Sequence, residues 1–239
     1  MNPEAMKLHG LALLDYYNGD LDAVTILQRD DGYASELPAK EFFRDAQEFP
    51  LEKTALDLCY GRTLDIGAGS GIHSLFLQER GFEVTAIDVS PEAVQVMRTR
   101  GIADVRLADI MSLKEGKFDT ILMMGNGIGV VENMDGLDQY LKNLSVLLEH
   151  GGQVLLTSVD IRFTDDSKYA EYQRHNLEAG RYIGEIRLKV VYKGKEGPEF
   201  GWLHIDPDTL ADHASVEKLN CEIVERLEND RYLARLTHN

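Results

Sequence analysis

The chain has 239 residues, with 41 acidic against 25 basic side chains and a formal net charge of -16. Such acidity excludes bulk-charge binding of phosphodiester backbones, which needs Lys and Arg to displace counterions, and it excludes docking on anionic membrane surfaces. The excess is even, at 12 against 6 in residues 1–62, 13 against 7 in 63–157 and 16 against 12 in 158–239, so the charge reads as a solvated surface rather than a tail or arm.

At 44% hydrophobic residues, the composition is that of a globular chain able to bury one large core. Residues 7–18 carry apolar positions at helical spacing and stop at Asn18-Gly19, which predicts a helix. Residues 24–48 stay ambiguous: Val24-Thr25-Ile26-Leu27 favours a strand, Asp30-Asp31-Gly32 a turn, and Glu41-Phe42-Phe43 either class. A further helix is expected over 51–60. From Arg62 onward, strand-length apolar runs at 63–66, 83–87, 105–107, 118–124 and 153–158 alternate with helical patterns at 72–80, 91–100 and 137–150. Strands alternating with helices mean parallel βαβ units and right-handed crossovers, so the expected class is α/β with a doubly wound sheet.

The rhythm then changes. A helix is expected over 169–179, and residues 181–193 and 198–206 alternate around Lys193-Gly194-Lys195-Glu196-Gly197, a hairpin signal. Asp206-Pro207 opens another helix to about residue 219, with Asp as cap and Pro in the first turn. Residues 222–227 and 232–236 form a closing hairpin. Cys59 and Cys221 make no CxxC pair, no leader-like N-terminus is seen, and no run of about 18 apolar residues occurs, so the expected compartment is a reducing cytoplasm.

The site-bearing signal is Thr63-Leu64-Asp65-Ile66-Gly67-Ala68-Gly69-Ser70-Gly71-Ile72-His73, where the first strand of this series meets its helix. Glycines at 67, 69 and 71 allow a tight turn and a close ligand approach, and ligands in such sheets sit outside the carboxyl ends of the strands. A dinucleotide fingerprint would put its third glycine at position 72, which is Ile72, so a nicotinamide reading is weakened; no Gly-Lys-Ser/Thr follows, so this is not a Walker loop. Asp88-Val89 closes the next strand, 21 residues after Gly67, where a carboxylate can accept both hydroxyls of an adenosine ribose. Asp109-Ile110 follows the third strand and reads either as an adenine contact or as a solvated turn. After the fourth come Gly125-Asn126-Gly127, with room above the sheet and an amide that both donates and accepts.

In this order and spacing, the four elements resemble the class I S-adenosylmethionine-dependent methyltransferase superfamily over about residues 62–158. The resemblance implies a Rossmann-like, seven-stranded, mostly parallel sheet closed by residues 207–237, with S-adenosylmethionine as cofactor. It implies that Asp65, Gly67, Ala68, Gly69 and Gly71 cradle the methionine part, Asp88 and Val89 meet the ribose, Asp109 and Ile110 the adenine, and Gly125 the amino group. Leu147-Leu148-Glu149-His150-Gly151-Gly152 resembles the family's turn before strand five, with His150 in place of Pro. The Asn/Asp-Pro-Pro-Tyr motif of the DNA and glutamine N-methyltransferases is missing at residues 125–128, which argues against planar amides and flipped bases as acceptors.

The expected acceptor is therefore a small molecule. One domain is expected: an N-terminal lid over 1–60, a cofactor core over 61–159 and 207–239, and a substrate-side insertion over 160–206. Tyr16 and Tyr17 read as lid contacts to the cofactor or substrate, or as the half-buried edge of an amphipathic helix. The insertion, with Tyr169, Tyr172 and Trp202, reads as a cover for the pocket or as a homodimer surface, and Asn126 with Trp202 as substrate contacts. His73 faces the pocket or fills space at its helix start. No catalytic constellation is evident, in keeping with methyl transfer from a good leaving group, and no metal site is expected. Two rival readings remain: a nicotinamide oxidoreductase and a non-catalytic S-adenosylmethionine-binding protein. Aminopropyl transfer is a third, unsupported by any acidic motif after strand four.

Overall fold

Asn2 caps the first helix, α1 (Pro3–Tyr17), by accepting from the Glu4 amide at 3.0 Å. A hairpin of β1 (Val24–Arg29) and β2 (Ala34–Pro38) follows, then a 3-10 turn at Ala39–Phe42 and helix α2 (Pro50–Leu58). The ambiguous stretch thus resolves into strand, turn and strand, with Gly32 at a φ of 90° in the turn. Next come β3 (Thr63–Ile66), α3 (Ile72–Glu79), β4 (Val84–Asp88), α4 (Pro91–Thr99), β5 (Asp104–Leu107) and β6 (Phe118–Met123). Helix α5 (Leu137–Leu147), β7 (Leu148–Val159) and α6 (Ser167–Glu178) lead to β8 (Glu185–Tyr192), β9 (Lys195–Glu196) and β10 (Phe200–Leu203). Helix α7 (Pro207–Val216), capped by Asp206, then β11 (Leu219–Arg226) and β12 (Arg231–His238) end the chain. This computed structural model describes residues 2–113, 116–163 and 167–239; residues 164–166 of the expected insertion, 114–115 of the expected core and Met1 of the expected lid lie outside the described residues.

The main sheet has seven strands in the order β11-β12-β7-β6-β3-β4-β5, parallel from β7 to β5 and antiparallel at β12 and β11. Its inner strands β3, β4, β6 and β7 are largely buried on both faces because both are covered. Along β6, Ile121 and Met123 pack with Leu141, Leu144 and Leu210 of α5 and α7, while Leu122 packs with Leu56 and Leu77 of α2 and α3. The chain leaves β3 toward β4 and β5, then returns to β6 on the other side of β3. The switch point lies between β3 and β6, and the turns after their carboxyl ends flank the crevice.

Several element boundaries differ from expectation by a few residues, two of them around β7. Helix α5 stops at Leu147 rather than residue 150, because Leu148 is already extended and pairs with Phe118. The Glu149-His150-Gly151-Gly152 stretch, expected as a turn before the strand, is an irregularity within β7 across which the register to β6 shifts. The larger difference is a second sheet, ordered β10-β8-β1-β2 with β9 on β8, antiparallel throughout. It joins the N-terminal hairpin to the insertion. The two segments expected as separate covers form one roof.

Candidate active site

A cavity of about 900 Å³ lies between the carboxyl edge of the main sheet and the inner face of the roof sheet. On the floor it is lined by Asp65, Gly67, Ala68, Gly69, Asp88, Val89, Asp109, Ile110, Gly125 and Asn126. Leu13 and His9 of α1, Leu27 of β1, Leu188 of β8 and Trp202 of β10 stand opposite. The described roof is largely apolar, the floor polar.

The glycine turn after β3 is held from below. Amides of Gly67 and Ala68 donate to the Ile87 carbonyl at 3.0 and 3.1 Å, Gly69 donates to the Asp88 carboxylate at 2.9 Å, and Gly71 donates to the Ala68 carbonyl at 2.8 Å. The contribution of these glycines is space rather than donors. A Cβ at Gly67 or Gly125, with φ of 66° and 64°, would meet nothing within 4 Å, so open volume faces both. Gly71 differs. It does not line the cavity, and a Cβ there would lie 2.2 Å from the Ile102 side chain, so it lets α3 pack on its neighbours. Asp65 sits beneath the turn, buried, and accepts from the Ser74 hydroxyl at 2.6 Å. Burial pushes its carboxyl above the usual range.

Asp88 ends β4 with one oxygen on the Gly69 amide and the other on the Ser90 amide, each at 2.9 Å. Burial raises its pKa and these amides oppose the rise. Each carboxylate oxygen keeps a second lone pair. The cap of α4 is supplied instead by Ser90, whose hydroxyl accepts from Ala93. Asp109 caps a 3-10 turn, accepting from the Met111 amide at 2.8 Å, while it also borders the cavity. Asn126 adopts a φ of 60°, and its backbone N–H donates to the Thr157 hydroxyl at 2.9 Å.

Tyr16 and Tyr17 do not reach the cavity. They pack on Phe43, with centroids at 4.8 and 6.4 Å, on the outside of the same segment. That segment is tied to the glycine turn, because the Ser70 hydroxyl donates to the Phe42 carbonyl and Arg100 donates to the Ser70 carbonyl at 2.7 Å. A buried network at the floor's edge joins Arg44, Glu52 and His73. Arg44 donates to both Glu52 oxygens at 2.7 Å, and His73 Nε2 lies 2.9 Å from Glu52. Burial alone would raise the Glu52 pKa, but His73 and Arg44 outweigh it and hold the carboxyl below the usual range. On the roof side, burial lowers His9 to about 4 and, aided by Arg231, lowers His204 to about 4, so both rings are neutral near pH 7. Their Nδ1 atoms have no partner among the described residues.

Comparison with known proteins points one way. Residues 63–152 match the family model described as a methyltransferase domain. An S-adenosylmethionine-dependent methyltransferase from Bacteroides fragilis, solved in complex with S-adenosyl-L-homocysteine, is 34% identical. It aligns over 100% of this chain and 97% of its own, with a TM-score of 0.86. This chain belongs to the S-adenosylmethionine-dependent methyltransferases.

Ubiquinone biosynthesis O-methyltransferase from Xanthomonas oryzae pv. oryzae is 31% identical over 113 residues, 44% of this chain and 46% of the relative. The chain therefore spans about half the length of the curated relatives it matches. The CcbJ methyltransferase from Streptomyces caelestis, at 14% identity and a TM-score of 0.58 over 81% of this chain and 94% of its own, shares the fold. The residues of this methyltransferase fit the family's cofactor. The open volume before Gly67 and Gly125 is a cradle that side chains would fill, and Asp88 borders it with lone pairs to offer. Several lining residues escaped sequence reasoning: His9, Arg29, Arg44 and Glu52. His9 carried a faint signal, a polar ring one turn before Leu13 on the apolar face of α1. Arg29 faces inward only because the roof assembles from distant segments, and Arg44 and Glu52 only because the loop after the 3-10 turn folds against α2 and α3.

Proposed function

We propose that this chain transfers the methyl group of S-adenosylmethionine to a small-molecule acceptor. The observation that carries the reading is the single continuous cavity, whose floor is the switch-point edge and whose roof is apolar. Its volume, near the upper end of the roughly 300–1,000 Å³ usual for small-molecule sites, suits a cofactor with a modest acceptor beside it. Asp88 and Val89 would hold the ribose, Asp109 and Ile110 the adenine, and Gly125 the amino group. Gly67, Ala68 and Gly69 would leave room for the methionine part, with Asp65 and Gly71 keeping the turn in shape. Asn126 and Trp202 would meet the acceptor. Tyr16 and Tyr17 would act through Phe43, holding the Phe42 segment over the turn. The cofactor supplies an activated methyl group on a good leaving group. The chain's own task is to align the nucleophile and exclude water, which the apolar roof favours. The rings of His9 and His204 stay neutral in the cavity wall near pH 7 and add no charge to it.

Because the inner face of the insertion lines the cavity, its role as a substrate module is favoured over a dimer surface. Burial raises the Cys59 and Cys221 thiols to about 12 and about 11, which fits two inert thiols in a reducing cytoplasm. Among the described residues, no helix is long and apolar enough to cross a membrane. Calorimetry with S-adenosylmethionine, S-adenosylhomocysteine and NAD tests the reading: the first two should bind and NAD should not. The Asp88→Ala variant should lose about ten-fold or more in S-adenosylhomocysteine affinity, since it removes hydrogen bonds to a charged acceptor. Binding of NAD alone, or full affinity in Asp88→Ala, would reject the reading or the ribose assignment respectively. Labelled cofactor incubated with cell metabolites then separates an enzyme from a silent binder.

A further inference from the structure

Charge is unevenly placed around the cavity. Among the described residues its lining carboxylates all fall between residues 41 and 132, and its lining arginines are Arg29, Arg44 and Arg231. Arg29 bonds to both oxygens of Asp31 and Arg44 to both of Glu52. Arg231 differs: it is exposed, and its guanidinium has no carboxylate partner among the described residues. Neighbouring arginines are not left so. Arg162 and Arg226 both reach Asp160, at 2.8 and 2.7 Å, and Arg226 also reaches Asp230 at 3.3 Å. Residues 158–239 hold 16 acidic side chains, yet among the described ones Arg231 is the one charge that this segment turns to the cavity. The guanidinium stands beside the wall, because its charge helps keep the ring of His204 neutral, and His204 lines the cavity two residues past Trp202. Arg231 pairs with Val159 at the carboxyl end of β7, two strands from β6 and four from β4. Strand spacing puts those lines about 10 and about 19 Å away, which takes Arg231 out of reach of a ribose at Asp88.

We propose that the acceptor is a carboxylic acid whose carboxylate meets Arg231 at the β12 end of the cavity, while its apolar body lies along Trp202 toward the turn after β6. This rests on the methyltransferase reading above, in which the turns after β3, β4 and β5 take the cofactor. The guanidinium is accessible and unpaired, so an arriving anion displaces water and breaks no bond within the protein. Its planar fork matches a carboxylate. In a chain of net charge -16, an anion is admitted only where the local lining is cationic, and this end of the cavity meets that condition. A single cation balances a monoanion, whereas a phosphate dianion would keep one charge unmet. The span of about 10 Å from β12 to β6 suits one aromatic ring with a short arm.

The test uses the full chain saturated with S-adenosylhomocysteine and titrated calorimetrically with benzoate, cinnamate, indole-3-acetate and 4-phenylbutyrate, each beside its neutral amide. At least one acid should bind about five-fold or more tighter than its amide, and added salt should narrow that gap. Arg231→Gln should bring the acid down to the affinity of its amide, and Arg231→Glu should weaken it further. Both should leave S-adenosylhomocysteine affinity unchanged, and both should fold, because the position is exposed. Arg174→Gln is the control: this arginine is 66% exposed on α6 and does not line the cavity, so its loss should not move acid binding. The proposal is overturned if no acid binds the S-adenosylhomocysteine complex, if acids and amides bind alike, or if an acid binds Arg231→Gln as tightly as the parent. It is overturned too if Arg174→Gln weakens the acid equally, or if Arg231→Gln loses S-adenosylhomocysteine in step with the acid, which would give Arg231 to the cofactor's own carboxylate. Failure of S-adenosylhomocysteine to bind the parent would instead remove the reading on which the proposal stands.

Discussion

At the residue scale, the glycines of the turn after β3 serve different ends, and that difference is measurable. Gly67 faces open volume, whereas Gly71, at a φ of 81°, would drive a Cβ into Ile102. Gly71→Ala combines a left-handed backbone with overpacking, so it should cost about 2–4 kcal/mol of stability. Chemical denaturation checks the value, and a loss below about 1 kcal/mol would mean that α3 slides to make room. The glycine pattern was legible in the sequence because a tight turn needs its residues side by side. The amides that hold the turn were not legible, since their acceptors, Ile87 and Asp88, belong to the next strand. Asp88 was found by its offset from Gly67, a distance set by one strand, one helix and two short turns.

At the element scale, the network of Arg44, Glu52 and His73 links the segment after the 3-10 turn to α2 and α3. Glu52 is 5% exposed, so its loss leaves a buried guanidinium with no partner for its fork. Glu52→Ala should cost about 3–5 kcal/mol. Lys53→Ala on the outer face of α2 removes only an exposed pair with Asp57 and should change stability by under about 0.5 kcal/mol. Thermal melting of the two variants side by side tests the contrast; equal shifts would show that the buried network is not what anchors the segment. Elements of the main sheet were readable because each carries its own periodicity, as in the double-faced apolar run of β6. The roof sheet was not. β1 pairs with β8 through Ile26 and Val191, 165 residues apart, and nothing local in either strand names its partner. For the same reason the end of α5 was misplaced: pairing of Leu148 with Phe118 outweighs the helical pattern of residues 137–150.

For the whole molecule, the balance of buried titratable groups sets the response to acid. His9 and His204 sit near 4 when folded against about 6.5 in the unfolded chain, so the unfolded state binds more protons between those limits. Their contribution is complete above about pH 6.5 and is lost as pH falls toward about 4, at most about 3 kcal/mol for each ring. Asp65 and Asp88, both raised by burial, act in the opposite sense at the acid end, while the buried Glu52, Asp160 and Asp206, held low by their partners, add to the loss there. Melting temperature should therefore fall from pH 7 to pH 5, and the double variant His9→Asn with His204→Asn should flatten the slope. An unchanged slope would assign the acid response to other groups. The chain's one tryptophan, Trp202, stands in the cavity wall beside Gly129, where a Cβ would touch its ring. Its indole emission therefore comes entirely from the place where a ligand would arrive, and the molecule carries an optical gauge of cavity occupancy that needs no label.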